Sequence, residues 1–368
     1  MKIPRVLYVI TVRMAYEGVT MSALNFVRNI DRSKVHIDFA AIGDVDDGLR
    51  REIENMGCAV HVLGSRLKNP AVYMLRLMRL VRRGGYDAVH AHGNSCTLAI
   101  ELAAAWLGGA KVRIAHSHNS YCKFVKAHRL LRPLFNVLYT HAFACGEEAG
   151  KWLFRKRPFH IIRNATESLR YAFDPAVRGD YRSRLGFGDE LVIGSVANMN
   201  EQKNHSFMLD VFAGLKKQRS DVKLVLVGDG VLREEIEAKA ERLGIGGDVM
   251  LLGTRTDVPS LLQAFDVMLL TSLYEGFPCV LVEWQCAGLW ALVSDAVTTD
   301  ADLTGLLEYL PIDNGTAPWV DALIDMKADN DRVMTGANAI MQVRDKGYDI
   351  LRNAQDMEKF YIEAVNRG

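Results

Sequence analysis

The chain has 368 residues, of which 49% are hydrophobic and 24% charged, with a formal net charge of +1. That length fits about two domains, and that composition excludes a disordered or low-complexity chain. The small net charge hides a division: residues 1–180 carry 27 Lys and Arg against 15 Asp and Glu, and the remainder 18 against 29.

A basic half fits an anionic partner, such as a membrane surface, a phosphate-bearing acceptor or nucleic acid. The alternative is simple attraction between the two halves. Six cysteines occur without a C-x-x-C pair, the pattern of reduced thiols in a cytoplasmic protein. The opening residues are too short for a signal peptide and read as a buried strand. No apolar stretch reaches the roughly 18 residues of a membrane span.

In chain order, short apolar runs alternate with amphipathic helices. Strands are expected at 5–10, 35–41, 59–62, 87–91, 112–116, 141–145 and 159–162. Helices lie between them at 19–30, 47–56, 70–83 and 96–107. Residues 121–139 are helical and mix Lys123, Lys126, Arg129 and Arg132 with Phe124, Leu130, Leu131 and Leu134. Such a surface suits anionic lipid; snorkelling cations on an ordinary helix are the alternative.

The texture turns polar at 171–188, which reads as a linker. The alternation then restarts with strands 191–197, 223–227, 248–252, 267–270 and 290–294 and helices 205–218, 231–243, 257–264 and 279–288. One long helix, 331–365, closes the pattern. Repeated βα units predict an α/β chain of two doubly wound parallel sheets.

The strongest chemical signal is Ser272-Leu273-Tyr274-Glu275-Gly276-Phe277-Pro278-Cys279-Val280-Leu281-Val282-Glu283. Strand 267–270 enters a loop, and Pro278 then opens a helix, where its missing N–H costs nothing. The N–H groups of 279–281 can meet phosphate oxygens with the helix dipole behind them. Glu283 can accept from a ribose diol, and Glu275 can meet a sugar hydroxyl. Asp44-Val45-Asp46 matches the D-x-D of metal-dependent sugar transferases but lies in an acidic turn. No His, Cys and Asp residues show metal-ligand spacing along the chain. Gly228-Asp229-Gly230 ends a strand and is either a nucleotide contact or a bare turn.

Segment 272–283 resembles the E-x7-E signature of the retaining GT-B glycosyltransferases of group 1, sequence family four. It is most similar to bacterial capsular and exopolysaccharide transferases. Asn200-Glu201-Gln202-Lys203-Asn204-His205 resembles the family's donor-domain loop, and the last helix, with Phe360-Tyr361, resembles the one that crosses back to the first domain. The resemblance spans the chain. It implies two Rossmann-like domains facing across a cleft: 1–170 on the acceptor side, the linker 171–188, a nucleotide-sugar domain at 189–345, and a returning helix at 346–368.

The resemblance further implies residue roles. Lys203 would neutralise the donor diphosphate, Glu283 would hold the ribose and Glu275 the transferred sugar. Gly276, Phe277, Pro278, Cys279 and Val280 would line the donor, with Thr254 and Arg255 at the base. His118 would face the donor sugar, ahead of His116, while His90 and His92 read as structural. The family's first-loop Gly-Gly pair is here Glu17-Gly18, and its Gly-Arg pair is Ala197-Asn198. Gly18 and Asn198 therefore stand where stronger donor contacts are usual.

The implied function is metal-independent transfer, with retention, from a UDP-sugar to a glycan or polyprenyl-linked acceptor. No cofactor is expected, and no nucleic acid. The enzyme would be cytoplasmic, with peripheral contact at the inner membrane face. A catalytically impaired sugar-nucleotide or glycan-binding subunit remains the alternative.

Overall fold

A computed structural model describes residues 2–16, 18–326 and 331–367. Glu17, one of the two departures from the family pattern, lies outside the described residues. The chain divides into two compact units, Met1–Ala165 with Ile350–Gly368, and Thr166–Asp349.

The first unit holds seven parallel strands: β1 (Arg5–Ile10), β2 (His36–Ala41), β3 (Val60–Val62), β4 (Ala88–His92), β5 (Val112–Ser117), β6 (His141–Ala144) and β7 (His160–Ile161). Their order is β3-β2-β1-β4-β5-β6-β7. Apolar residues on both faces of these strands are buried, as a sheet covered on two sides requires. Helix Pro70–Gly84 shows how locally its boundaries are written. The Asn69 side chain accepts from the Val72 N–H, Pro70 opens the helix, and Gly85 closes it in the left-handed region at φ 61°.

The closing helix belongs to this same unit. Ile350, Ala354, Met357 and Tyr361 recur at helical spacing and are buried with Tyr8 and Phe39. Burial of each large side chain contributes about 1.5–3 kcal/mol. Glu358 fixes the register, accepting from Lys34 Nζ at 2.9 Å and from the Asp31 N–H at 3.1 Å. The single helix expected over 331–365 is instead two, Arg332–Asp345 and Ile350–Arg367. Gly347, at φ 80°, turns the chain between them.

The second unit holds β8 (Leu191–Val196), β9 (Val222–Val227), β10 (Val249–Gly253), β11 (Val267–Leu270), β12 (Trp290–Ser294) and β13 (Leu307–Leu310). The parallel order is β10-β9-β8-β11-β12-β13. The expected linker at 171–188 is folded. Helix Pro175–Leu185 is capped by Asp174, and its Arg178 and Arg182 bind Asp266 at 2.6 and 3.1 Å. Asp266 also accepts the Val192 N–H at 2.8 Å, which ties the helix to the start of β8. Polar composition here marks an ion-paired seam rather than a free connector.

Candidate active site

In the second unit the strand order reverses at β8, between β9 and β11, the switch point where such sheets bind ligands. The loops that follow β8 and β11 meet there. Asn200 caps the short turn Glu201–Lys203, and the Thr271 hydroxyl donates to the Lys203 and Asn204 carbonyls at 3.1 Å each. The Leu273 N–H donates to the Gln202 carbonyl at 2.8 Å. Gly228, which follows β9, packs on the loop after β8: a Cβ there would lie 2.1 Å from the Ala197 carbonyl oxygen, and φ is 138°. The Gly-Asp-Gly turn thus serves close backbone packing.

These loops bring Lys203 and Glu275 together, 72 residues apart in sequence, as an ion pair with side chains 18% and 9% exposed. Glu275 also accepts from Ser272 Oγ at 2.9 Å and Gln202 Nε2 at 3.1 Å. Gln202 and Ser272 flank the expected residues, but no sequence pattern marks them as partners. The carboxylate is fully engaged, and the ammonium is held by it.

Glu283 lies in helix Cys279–Cys286, partly buried. Burial pushes its carboxyl up to about 7, against the lowering effect of a hydrogen bond with Tyr171 and of nearby Arg170. A carboxyl poised near neutrality in a strand-end setting is a functional candidate. Pro278 is the cap residue rather than the first helical one. Of the three amides expected to meet phosphate, that of Leu281 is taken by the Pro278 carbonyl at 3.0 Å. Phe277 stacks on Tyr348, with ring centroids 5.1 Å apart at 9°. Cys279 and Val280 are partly buried, and Asn198, Thr254, Arg255 and Gly276 are exposed. Arg255 pairs with Asp257 at 2.6 Å.

In the first unit Gly18 opens helix Gly18–Asn29, with free space where a side chain would stand. Asp46 caps helix Asp47–Asn55, accepting from Gly48 and Leu49 N–H groups, which gives half of the D-x-D pair a structural duty. Arg132 departs from the expected basic surface. Its guanidinium donates to the Leu153 carbonyl at 2.8 Å and to His128, because it lies one turn from His128 on a face turned inward. Lys123, Lys126 and Arg129 are exposed beside exposed Leu130, Leu134 and Val137.

Four histidines line the ends of β4 and β5. Residues 90 and 92 share a face of β4, and the register sets His92 beside His116. His90 Nε2 lies 3.0 Å from His116 Nδ1, and His92 Nδ1 lies 2.9 Å from His118 Nε2. His90 Nδ1 lies 2.6 Å from the Tyr361 hydroxyl, which donates to Tyr8 at 2.8 Å. Burial pushes all four imidazoles down, His118 to about 4. They are therefore neutral at physiological pH.

His90, His92 and His116 offer ring nitrogens within 4.8 Å of one another. This corrects the expectation of no metal-spaced cluster: the grouping arises across strands, where sequence spacing is blind. Its geometry suits stacking better than ligation. The His90 and His92 rings are parallel within 18°, with centroids 4.3 Å apart. In-plane lone pairs of parallel rings do not converge on one ion at about 2.0–2.1 Å.

Two family models match the chain, "Glycosyltransferase Family 4" over residues 16–167 and "Glycosyl transferases group 1" over residues 177–308. The putative glycosyltransferase EpsF of Bacillus subtilis is 34% identical over 334 residues, covering 87% of this chain and 86% of its own length. The chain belongs to the group 1 glycosyltransferases. It is therefore a glycosyltransferase, as the resemblance of segment 272–283 implied. An Escherichia coli UDP-Gal:alpha-D-GlcNAc-diphosphoundecaprenol alpha-1,3-galactosyltransferase is 24% identical, with 79% of each chain covered. The Anabaena protein HepE, solved with UDP, superposes with a TM-score of 0.78 at 19% identity, over 97% of this glycosyltransferase and 99% of HepE. WaaG, a glycosyltransferase of lipopolysaccharide biosynthesis, gives 0.70 at 16% identity, over 97% and 99%. These two likenesses establish the GT-B fold.

Proposed function

We propose that this glycosyltransferase moves a sugar, with retention and without a metal ion, from a UDP-sugar to a glycan or polyprenyl-linked acceptor of a surface polysaccharide. The observation that carries the reading is the Lys203–Glu275 pair at the β8/β11 switch point. The ammonium there, on turning from Glu275, can take up the charge of a leaving diphosphate. Glu275 would then accept from a hydroxyl of the transferred sugar. Glu283, one helical turn inside, would accept from the ribose diol once ionised. His118 is proposed to contact the same sugar, on the strength of the family resemblance.

The choice of UDP draws support from HepE, which was solved with UDP and with UDP-glucose. The lipid-linked acceptor draws support from the E. coli relative's diphosphoundecaprenol substrate. Among the described residues no helix is long and apolar enough to cross a membrane. Access to such an acceptor would come from peripheral docking of Lys123, Lys126 and Arg129 on anionic lipid, with exposed Leu130 and Leu134 on the same helix as Lys126 and Arg129. That docking would place the enzyme at the inner face of the cell membrane.

Native mass spectrometry against a panel of UDP-, GDP- and dTDP-sugars tests the donor, and NMR of the product reads the anomeric configuration. The expected result is binding of UDP-sugars and an α-linked product from an α-linked donor. Preference for another nucleotide, or an inverted product, overturns the corresponding part.

A further inference from the structure

The segments by which the chain enters and leaves its second unit are tied to each other, and each reaches into the stretch 275–283. Thr166 and Asp349 form a parallel bridge, and the Thr166 N–H donates to the Tyr348 carbonyl at 3.1 Å. The Ser168 hydroxyl and Arg344 Nε donate to Asp349 Oδ2 at 2.5 and 3.1 Å. The Tyr348 N–H donates to the Val343 carbonyl at 3.0 Å. Two tyrosines project from this brace. Tyr348 lies flat on Phe277. In the loop that holds Glu275, Leu273 and Tyr274 are exposed and Gly276 has no side chain, so Phe277 carries the apolar packing of residues 273–277. Tyr171, 8% exposed, is buried in the core with Leu281, Val282 and Trp284 of the helix that bears Glu283. Its carbonyl accepts from Gln263 Nε2 at 3.4 Å. Its hydroxyl is bonded to the side chains of both Thr166 and Glu283.

We propose that Tyr171 and Tyr348 are positioning residues for the nucleotide-sugar: Tyr348 seats the Glu275 loop through Phe277, and the Tyr171 hydroxyl holds the Glu283 carboxylate in the orientation that meets a ribose diol. The ribose half rests on the reading of Glu283 as the ribose contact. A phenylalanine would fill the same core as Tyr171; the hydroxyl is what reaches Glu283. A phenol has one proton, and an ionised carboxylate can only accept it, which leaves the other carboxylate lone pairs for the diol. The bond favours the ionised form against the burial that raises this carboxyl, and Arg170, on the same turn, acts the same way. Cys286, one turn along the helix, also feels Glu283, together with Asp349 and Arg344. The loop end and the helix end of 275–283 are thus set from one rigid support before any ligand arrives.

Calorimetry of the full-length enzyme with UDP, and with a dideoxy-UDP lacking both ribose hydroxyls, tests the two roles. The ratio of the two Kd values cancels the diphosphate. Tyr171→Phe should raise the pH midpoint of the preference for UDP by about one unit. At pH 7 the carboxyl is then mostly protonated, so UDP should weaken about fivefold while dideoxy-UDP stays within twofold. Tyr348→Leu, which keeps apolar bulk without a ring to stack, should weaken both ligands about three- to tenfold, and Tyr348→Phe should restore them. A full preference for UDP in Tyr171→Phe, with its midpoint unmoved, overturns the proposal without any other variant having to fold. Unchanged affinity in Tyr348→Leu, even with stability lost, overturns the loop half. A wild type that binds UDP and dideoxy-UDP equally instead overturns the ribose reading of Glu283, and the Tyr171 half with it.

Discussion

Glu275→Gln removes one negative charge from beside Lys203 while keeping an oxygen where Oε1 stands. Lys203 is paired with Glu275, and an ammonium that turns from that carboxylate to a diphosphate gives up this partner. A hydrogen bond to a charged group is worth about 1.5–3 kcal/mol and a neutral one about 0.5–1.5. The substitution therefore lowers the cost of freeing Lys203 by roughly 1–1.5 kcal/mol, or about five- to tenfold in Kd. With side chains 18% and 9% exposed, the pair escapes most of the solvent screening that makes surface pairs weak. UDP alone is the right probe, because it lacks the sugar that Glu275 would hold. Calorimetry should show tighter UDP binding by Glu275→Gln although its turnover with the complete donor falls. Lys203→Ala should weaken UDP binding at least tenfold, and the Glu275→Gln gain should shrink in that background. Weaker UDP binding by Glu275→Gln, or an equal gain in both backgrounds, refutes the exchange of carboxylate for diphosphate.

Glu283→Ala should weaken UDP binding about tenfold, since an unpaired buried diol costs on the order of 1–3 kcal/mol; unchanged calorimetry in a folded variant takes Glu283 out of the site. The same carboxyl makes a pH prediction. Its value is raised from 4.5 to about 7, so within that window the folded protein holds a proton the unfolded chain has released, and stability falls as pH rises. Glu283→Gln should be about 1–3 kcal/mol more stable than wild type at pH 8 and level with it at pH 4; urea unfolding that shows the same gap at both values removes the carboxyl from its apolar setting. EDTA should leave turnover intact, and loss of activity restored by Mn2+ or Mg2+ points to a metal requirement. Exchanging Lys123, Lys126 and Arg129 for Gln should release the enzyme from anionic vesicles, at about 1 kcal/mol per cation, with UDP binding unchanged; equal sedimentation with neutral and anionic vesicles sinks the membrane role.

The buried strands were readable because each is a short apolar run between turn residues, and twelve of them fall within a residue or two of expectation. β13 escaped because Leu307-Glu308-Tyr309-Leu310 lies at the sheet edge and keeps a charge. The break at Gly347 was hidden inside a stretch whose helical periodicity continues on both sides. The Arg178 and Arg182 seam looked like a linker because its partner, Asp266, lies more than 80 residues away. The same limit governs the site. Glu275 and Glu283 are marked by their local spacing. The capture of Lys203 by Glu275, the burial of Glu283 beside Tyr171 and the pairing of His92 with His118 arise from strand order and loop contact, which no single segment encodes.

The helix Ile350–Arg367 fills the core of the unit with which the chain begins, and this has a consequence for synthesis. The ribosome releases the whole of Thr166–Asp349 before the earlier unit receives its last core layer. The usual order, in which N-terminal domains finish first, is thereby reversed. Until the last 18-residue helix emerges, the surface that takes Ile350, Ala354, Met357 and Tyr361 stays open to solvent, and His90 lacks the Tyr361 hydroxyl. A nascent chain arrested at Asp349 should accordingly gain protease resistance in its second unit while the first stays cleavable, and release of the remaining residues should close it.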